Sequence, residues 1–206
     1  DIISWCYDNQ AAYDQEKPIY IDCANPRRSI SSKPAYVLIR KLVAGFRAAG
    51  LRKGDCVCID AFNNVGVDTS RYCNITDLRQ LHYPVIVQGI IAAGGTFLDT
   101  NPTYTSYELH HALKVSKTKF IITERDLLAA IKLPASELNI PASRIFLFGR
   151  YHGIGVPEHY TWRTLLEHGE EDWVRFNDLH TARNTTAFLM LPSGTTGLPT
   201  AAQLSH

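Results

Sequence analysis

Short apolar runs alternate along the chain with longer segments in which apolar residues recur at helical spacing. The clearest helical segment covers residues 32–49, and its apolar positions are Ala35, Leu38, Ile39, Leu42, Val43, Phe46 and Ala49. A run suited to a buried strand, residues 56–61, follows after a turn at Gly54. Strands and helices that alternate at this spacing favour a parallel arrangement, because consecutive parallel strands must be joined by a crossover segment. The sequence therefore predicts an α/β fold with parallel sheets flanked by helices.

Start and stop signals place the other elements. Ser32 is predicted to cap the first long helix, with Pro34 tolerated in its first turn and Gly50 after its end. Thr105 and Glu108 have the spacing of a capping box at the start of a later helix. Further strands are predicted at 18–23, 96–99, 119–123, 144–148 and 186–191, and further helices at 84–93, 105–116, 125–132 and 162–168.

The net charge, the apolar runs and the cysteines limit the partners and the cellular compartment that can be expected. The 206-residue chain has a formal net charge of +1, which gives no reason to expect nucleic acid or an anionic membrane as a partner. No apolar run approaches the ~20 residues needed to span a bilayer. The five cysteines show no CxxC spacing, so neither a metal site nor a disulfide framework is predicted, and a reducing, intracellular compartment is favoured. If residues 55–61 form a strand, Cys56 and Cys58 point the same way, which predicts core packing rather than a metal pair.

Two groups of polar residues show no pattern that predicts a catalytic or metal-binding role. His110 and His111 fall on a predicted amphipathic helix, where a surface or packing role is expected rather than metal binding. An acidic cluster is predicted to be a solvated face, and it consists of Glu167, Glu170, Glu171 and Asp172.

A loop of glycines and hydroxyls follows the last predicted strand. Residues 192–199 read PSGTTGLP. Small residues let a phosphate approach the backbone, and amides and hydroxyls can donate hydrogen bonds to its oxygens. The loop is too short for GxxxxGK[ST], and no GxGxxG follows any strand, so the residues alone fit either a phosphate loop or a plain turn.

The loop and three upstream segments together carry a family resemblance. Residues 192–199, followed by Leu204, Ser205 and His206, resemble the phosphate-loop signature of the adenylate-forming (AMP-binding) superfamily. Residues 45–55 (GFRAAGLRKGD), 90–95 (IIAAGG) and 101–109 (NPTYTSYEL) stand in the order and spacing seen in 4-coumarate–CoA ligases and acyl-CoA synthetases. The chain is therefore identified as a partial N-terminal domain, residues 1–206, of an enzyme of this superfamily.

The resemblance implies a reaction and its participants. Such enzymes join a carboxylic acid to ATP as an acyl-adenylate with loss of pyrophosphate, then usually pass the acyl group to coenzyme A. By position in the motif, a phosphate-binding role with Mg²⁺ falls to Ser193, Gly194, Thr195, Thr196, Gly197 and Thr200. The expected partners are a small carboxylic acid, ATP and coenzyme A, in the cytoplasm or the peroxisome. No catalytic residue can be assigned within residues 1–206.

Two departures from the family pattern bear on activity. Where the motif continues Pro-Lys-Gly, this chain has Pro199, Thr200 and Ala201, so the phosphate site lacks one point charge. The family's adenine-binding and C-terminal motifs would lie beyond His206. Residues 1–206 alone are therefore expected to be inactive. The alternative from another class is a non-catalytic remnant, from a pseudogene or truncated gene model, that acts at most as a weak phosphate-binding or interaction module.

Residues 65–80 (VGVDTSRYCNITDLRQ) interrupt the predicted strand–helix rhythm. In the family, the preceding strand leads almost directly to a Tyr-Pro pair, which is Tyr83 and Pro84 here. A retained intron translated in frame fits the segment, since it can be encoded with a GT donor at Val65, a branch-like CTGAC at Thr76 and Asp77, and a CAG acceptor at Gln80. The alternative is a disordered surface loop insertion.

Overall fold

The computed structural model describes residues 1–8, 13–22, 25–62, 79–148, 160–176, 178–191 and 200–206. In chain order its elements are α1 (Ile2–Tyr7), β1 (Pro18–Ile21), β2 (Ser29–Ser31), α2 (Ser32–Ala48), β3 (Cys56–Asp60), α3 (Arg79–Ala92), β4 (Thr96–Asp99), α4 (Ser106–Val115), β5 (Thr118–Thr123), a 3-10 turn (Arg125–Leu127), α5 (Leu128–Glu137), a 3-10 turn (Ala142–Arg144), β6 (Ile145–Leu147), β7 (Tyr160–Thr161), a 3-10 helix (Trp162–Glu167), α6 (Leu179–Asn184), β8 (Thr186–Met190) and β9 (Ala202–Ser205).

The main sheet has seven strands in the order β7-β6-β5-β3-β4-β8-β9. Every neighbouring pair is parallel except β8 and β9, which form an antiparallel hairpin at one edge. β1 and β2 form a separate two-stranded antiparallel sheet. The predicted α/β class with a parallel sheet is confirmed. β3 lies between β4 and β5, so the chain runs first to one side of β3 and then crosses to the other.

Helices cover both faces of the sheet. On one face α2 and α3 pack over a large apolar cluster that includes Ile39, Leu42, Phe46, Val57, Ile59, Ile86, Ile90, Phe120 and Ile122. On the other face α4 and α5 pack over a smaller cluster that includes Cys56, Cys58, Leu98, Leu109, Leu113, Ile121, Leu128 and Ile131. Successive residues of β3 alternate between the two clusters, as the period of a strand requires. The prediction that Cys56 and Cys58 point the same way is confirmed.

α2 begins one residue earlier than predicted. Ser31, not Ser32, is the N-cap, and it is also the last residue of β2, where it pairs with Pro18. The strand therefore ends and the helix starts at the same residue. Pro34 lies in the first turn as predicted, and Gly50 follows the helix with a φ of 88°, a conformation in which glycine carries no steric penalty.

Two other helix boundaries differ from prediction. α3 begins at Arg79 rather than at Pro84, which therefore lies inside the helix. α5 is preceded by a 3-10 turn over Arg125–Leu127 and continues to Glu137, past an internal proline at position 134. Proline is most often found at helix starts, so in both cases its position is a poor guide to the boundary.

The acidic segment, residues 170–176, ties the first two helices together. The Arg40 guanidinium lies 3.4 Å from carboxylate oxygens of Glu170 and of Asp172, and Arg47 pairs with Glu171. The Trp173 indole N–H donates to Ser4 Oγ at 3.0 Å. The three carboxylates remain 40 to 53% exposed, so this part of the cluster is a solvated face that also pairs with α2. The sequence pattern did not reveal the pairing.

Within the part of the chain that the structure describes, no helix is long and apolar enough to cross a bilayer. The same described ranges contain no group of three or more His, Cys, Asp or Glu side chains arranged to hold a metal ion.

Candidate functional site

The glycine and hydroxyl loop joins the two strands of the edge hairpin. β8 ends at Met190 and β9 begins at Ala202, and these two residues pair across the hairpin. β8 is parallel to β4, so the loop leaves the sheet at the carboxyl edge of the parallel strands. Ligands of open α/β sheets bind at this edge. The flanking residues Leu191 and Thr200 therefore lie near an edge where ligands bind, while residues 192–199, with five of the predicted site residues at 193–197, lie outside the described residues.

Thr200 is the predicted site residue that the structure describes. It is exposed and lies two residues before the start of β9. It lines a cleft of about 450 Å³ between α4 and the β8–β9 hairpin. Other residues that line the cleft are Cys56, His111, Lys117, Thr186, Leu189 and Gln203. His111, for which a surface or packing role was expected, lines the cleft. His110 Nε2 lies 3.5 Å from Glu137 Oε2 of α5.

A cluster of hydrogen-bonded acids lies at the same carboxyl edge, on the strands next to β8. Asp60 at the end of β3 is only 1% exposed and accepts a hydrogen bond from the Thr100 hydroxyl at 2.8 Å. Asp99 at the end of β4 accepts one from the Tyr83 hydroxyl at 2.9 Å. We call Asp60, Asp99, Thr100 and Tyr83 the edge cluster. It connects the ends of two central strands to the beginning of α3.

Burial governs the electrostatics of the edge cluster. Burial raises the pKa of Asp60 to about 6, and the charge of Asp99 adds to the rise while the Thr100 hydrogen bond opposes it. Burial also raises the pKa of Asp99, against the opposing hydrogen bond from Tyr83. The pKa of Tyr83 is raised well above its usual range by burial and then by Asp99. Tyr83 therefore stays protonated and acts as a hydrogen-bond donor.

The two cysteines beneath this edge are packing residues. Burial raises the pKa of Cys56 to about 11, and the pKa of the fully buried Cys58 is raised well above its ordinary value. Thiols in such surroundings remain protonated and unreactive. This agrees with the prediction that their spacing serves core packing.

The edge cluster was not predicted from the sequence. Its signal was an acidic residue at the end of each of two buried strands, Asp60 in β3 and Asp99 in β4. The partners Tyr83 and Thr100 become apparent only when β3, β4 and the start of α3 are brought to one edge. A nearby hydrogen bond also depends on the fold: Phe62 N–H, two residues after Asp60, donates to Glu124 Oε1 at 3.0 Å, and the two residues are 62 positions apart in the sequence.

Comparison with protein families identifies the family of the chain. A family model described as AMP-binding enzyme matches residues 7–206. The chain belongs to the AMP-binding enzyme family. The match includes the hairpin, its loop and the edge cluster, so the resemblance inferred from residues 192–199 and the upstream segments is confirmed. The fold predicted for this family is also the fold observed.

Relatives of the AMP-binding family with similar sequences include fungal acyl-CoA ligases. The chain is 44% identical over 209 residues to phenylacetyl-CoA ligase epaB and 42% identical over the same length to acyl-CoA ligase azaF, both of Aspergillus niger. Each comparison covers 100% of this chain but only 35% and 36% of the relative. The chain thus spans about a third of the length of these curated relatives.

Solved structures of AMP-binding enzymes share the fold. ATP-bound MatB from Rhodopseudomonas palustris superposes with a TM-score of 0.73 at 18% identity, over 100% of this chain and 34% of MatB. An anthranilate CoA ligase, AuaEII, in complex with anthranoyl-AMP superposes with a TM-score of 0.72 at 15% identity. At these identities the likeness concerns the α/β fold.

Proposed function

We propose that this chain is the phosphate-loop part of an ATP-dependent acid–CoA ligase. The parent reaction activates a carboxylic acid as an acyl-adenylate and then forms its coenzyme A thioester. Residues 1–206 supply the first part of the N-terminal domain, and the compartment is the cytoplasm or the peroxisome. The observation that supports the proposal is the β8–β9 hairpin: residues 192–199 connect its two strands after β8 ends at the carboxyl edge of the sheet, in a chain of the AMP-binding family.

The residue types of the loop suit a triphosphate. Backbone amides beside Gly194 and Gly197, with the hydroxyls of Ser193, Thr195 and Thr196, offer several donors to phosphate oxygens. Thr200 adds one neutral donor where the family has a lysine, so charge neutralisation depends more on the metal ion. Catalysis in such a site consists mainly of positioning and electrostatic stabilisation.

We assign Mg²⁺ to the phosphate loop, because Mg²⁺ in nucleotide sites is usually bound together with the substrate phosphates. Asp60 and Asp99 each accept a hydrogen bond within the edge cluster, whereas hydroxyl oxygens at 193, 195 and 196 belong to the loop itself. When bound with ATP, the metal would supply charge neutralisation on the β- and γ-phosphates.

An aromatic or fatty acid is the proposed substrate class. Two relatives carry names for aromatic acids, the phenylacetyl-CoA ligase of A. niger and the nicotinic acid-CoA ligase olcI of Penicillium canescens, which is 29% identical. Phenylacetate is therefore the first acid to test.

Binding to the loop can be measured on residues 1–206 directly. Calorimetric titration with Mg·ATP is expected to show weak binding that Ser193→Ala reduces several-fold, because one hydroxyl donor is lost. Ser136→Ala is the matched control, since Ser136 is exposed on α5. Equal affinity for the two variants would show that the loop does not hold the phosphates.

The acid-activation reaction can be tested in a chimera that has the full length of a relative. A chimera in which residues 1–206 replace the matching third of epaB is expected to release pyrophosphate in the presence of phenylacetate. Thr200→Lys is expected to raise that rate, because it restores a charged contact to phosphate.

Residues 1–206 alone are expected to release none. The competing proposal, a non-catalytic remnant, is favoured by Thr200 and predicts that the chimera stays inactive with either residue.

A further inference from the structure

The stretch between β3 and α3 is unusually long for its place in the fold. β3 ends at Asp60 and the next described helix begins at Arg79, which leaves 18 residues, 61–78, between them. Connections from a strand to the following helix in α/β folds are usually about 2 to 6 residues long. α3 then leads directly to β4, the parallel neighbour of β3. The two strands and their crossover helix thus form an ordinary unit with one exceptional connection.

Both ends of this connection are fixed in the same part of the molecule. Ala61 and Leu81 are buried in the cluster beneath α2 and α3. Two residues after Leu81, the Tyr83 hydroxyl bonds to Asp99, which pairs with Ile59 of β3. The end of β3 and the beginning of α3 therefore lie near the same edge of the sheet. Four residues, an ordinary length for a connection in α/β units, can extend about 13 Å.

The position of Pro84 agrees with a helix that starts later than Arg79. Pro84 is the sixth residue of α3, a position where a helix normally makes a backbone hydrogen bond that proline cannot donate. In α2, by contrast, Pro34 is the third residue, where the free N–H groups of the first turn make proline acceptable. α5 also accepts an internal proline, Pro134, so Pro84 supports the argument without carrying it alone.

The residues that separate the two anchors can be read as a complete intron. Every valine codon begins with GT, so Val65 supplies a donor dinucleotide, and a CAG codon at Gln80 supplies the acceptor. Removal of residues 65–80 leaves residues 61–64 joined to Leu81, a connection of four residues. It also places Pro84 in the first turn of a helix that begins at Leu81 or His82.

We propose that residues 65–80 are encoded by an intron retained in the reading frame, and that the spliced transcript joins Asn64 directly to Leu81. The spliced chain has an ordinary β3–α3 connection, and the retained form carries sixteen additional residues, the last two of which, Arg79 and Gln80, begin α3. This inference is independent of the proposed function, because it concerns the closure of the core and not the phosphate loop.

Sequencing of genomic DNA and of transcripts across codons 60–84 tests the proposal. We expect a CAG codon at position 80 and a second transcript that lacks about 48 nucleotides, the coding length of sixteen residues. A CAA codon at position 80, or transcripts that all keep the segment, would overturn it. The second result would identify residues 65–80 as a loop insertion of the protein.

A deletion variant tests the structural half of the inference. Two chains are compared, one with residues 65–80 deleted and one with the same residues replaced by a sixteen-residue Gly/Ser linker. The deletion is expected to fold with a Tm about 2–4 °C above that of the linker chain, because a shorter loop costs less entropy to close. Hydrogen exchange should protect α3 equally in both. Loss of α3 protection in the deletion alone would show that the segment is needed for the fold.

Discussion

The two faces of the sheet differ in the side chains that β3 contributes to them. Towards α2 and α3 the strand presents Val57 and Ile59, both fully buried. Towards α4 and α5 it presents two thiols and a carboxyl group, those of Cys56, Cys58 and Asp60. β3 therefore presents only apolar side chains to the α2/α3 face. On the α4/α5 face its side chains change from thiols to a carboxyl group towards its carboxyl end.

Packing follows the same division. On the α2/α3 face, Gly89 lets α3 approach so closely that an added Cβ would lie 2.6 Å from Leu42 Cβ. On the α4/α5 face, the cleft of about 450 Å³ separates α4 from the β8–β9 hairpin. The tightly packed core therefore lies on the α2/α3 face and the cleft on the α4/α5 face, while the edge cluster, with Tyr83 from α3 and Asp60 from β3, joins the two faces at the carboxyl edge. This difference in packing predicts different responses to equivalent substitutions.

The same leucine-to-alanine change on each face gives the largest expected effects. Leu42→Ala should lower the free energy of unfolding by about 4 kcal/mol, because two helices held together through Gly89 cannot collapse onto the cavity. Leu113→Ala on α4 should cost about 2.5 kcal/mol, because α4 borders a cleft and can shift inwards. Urea unfolding of both variants measures the difference. Equal losses would remove the contrast between the faces.

Gly45→Ala tests how closely the first face is packed. An added Cβ would lie 2.0 Å from the carbonyl oxygen of Leu165, so the backbone of the 3-10 helix must move. The expected loss is about 3 kcal/mol, even though alanine is the better helix former. Ala48→Gly, on the exposed end of the same helix, is the control and should cost only about 0.5–1 kcal/mol. A neutral Gly45→Ala would mean that α2 is not locked against Leu165.

Asp60 makes the second face sensitive to pH. Its folded pKa of about 6 lies above the ordinary value of 3.8, so the folded state binds the proton more tightly than the unfolded state does. This contribution is therefore fully present below about pH 4, falls as the pH rises through 6, and amounts to roughly 3 kcal/mol.

The difference in unfolding free energy between the wild type and Asp60→Asn, measured from pH 4 to pH 8, isolates this term. As the pH rises, the wild type should lose unfolding free energy relative to Asp60→Asn. A difference that stays constant with pH would show that Asp60 titrates normally.

The smallest expected effect concerns how α4 is held at its start. Thr105 Oγ1 accepts from Glu108 N–H at 3.3 Å, and Glu108 Oε2 accepts from Thr105 N–H at 2.8 Å. Thr105→Ala should cost about 1 kcal/mol, and Thr105→Ser should cost much less because it keeps the hydroxyl. If the cap stabilises mainly the α4/α5 face, Thr105→Ala should raise the hydrogen exchange of α4 and leave that of α2 unchanged.

Much of the fold could be predicted where the signal is local. The capping box at Thr105, the helical spacing of α2 and the buried run of β3 each depend on residues close in sequence. Short elements were missed, including α1 and β9, because six or four residues carry too little periodicity. β9 becomes a strand through its pairing with β8, which a single segment does not reveal.

The candidate site divides in the same way. The loop at 192–199 could be predicted from its glycines and hydroxyls and from the strand before it. The phosphate-binding roles assigned to residues 193–197 and to Thr200 stay predictions. The edge cluster could not be predicted, since the hydrogen bond from Tyr83 to Asp99 requires a helix and a strand end to meet. The pairing of Arg40 with Asp172 depends on an even longer separation in sequence.

The acidic segment also determines the order in which the chain can mature during synthesis. α1 is made well before its partners, which lie 167 to 175 residues later in the sequence: the Asp1 carboxylate accepts from Phe176 N–H, Ser4 from Trp173, and Asp8 pairs with Arg175. At about 5–20 residues per second, the ribosome needs roughly 10–30 s to produce those partners. During that interval Ile3 has no finished cluster to enter, so α1 stays open to chaperones and proteases.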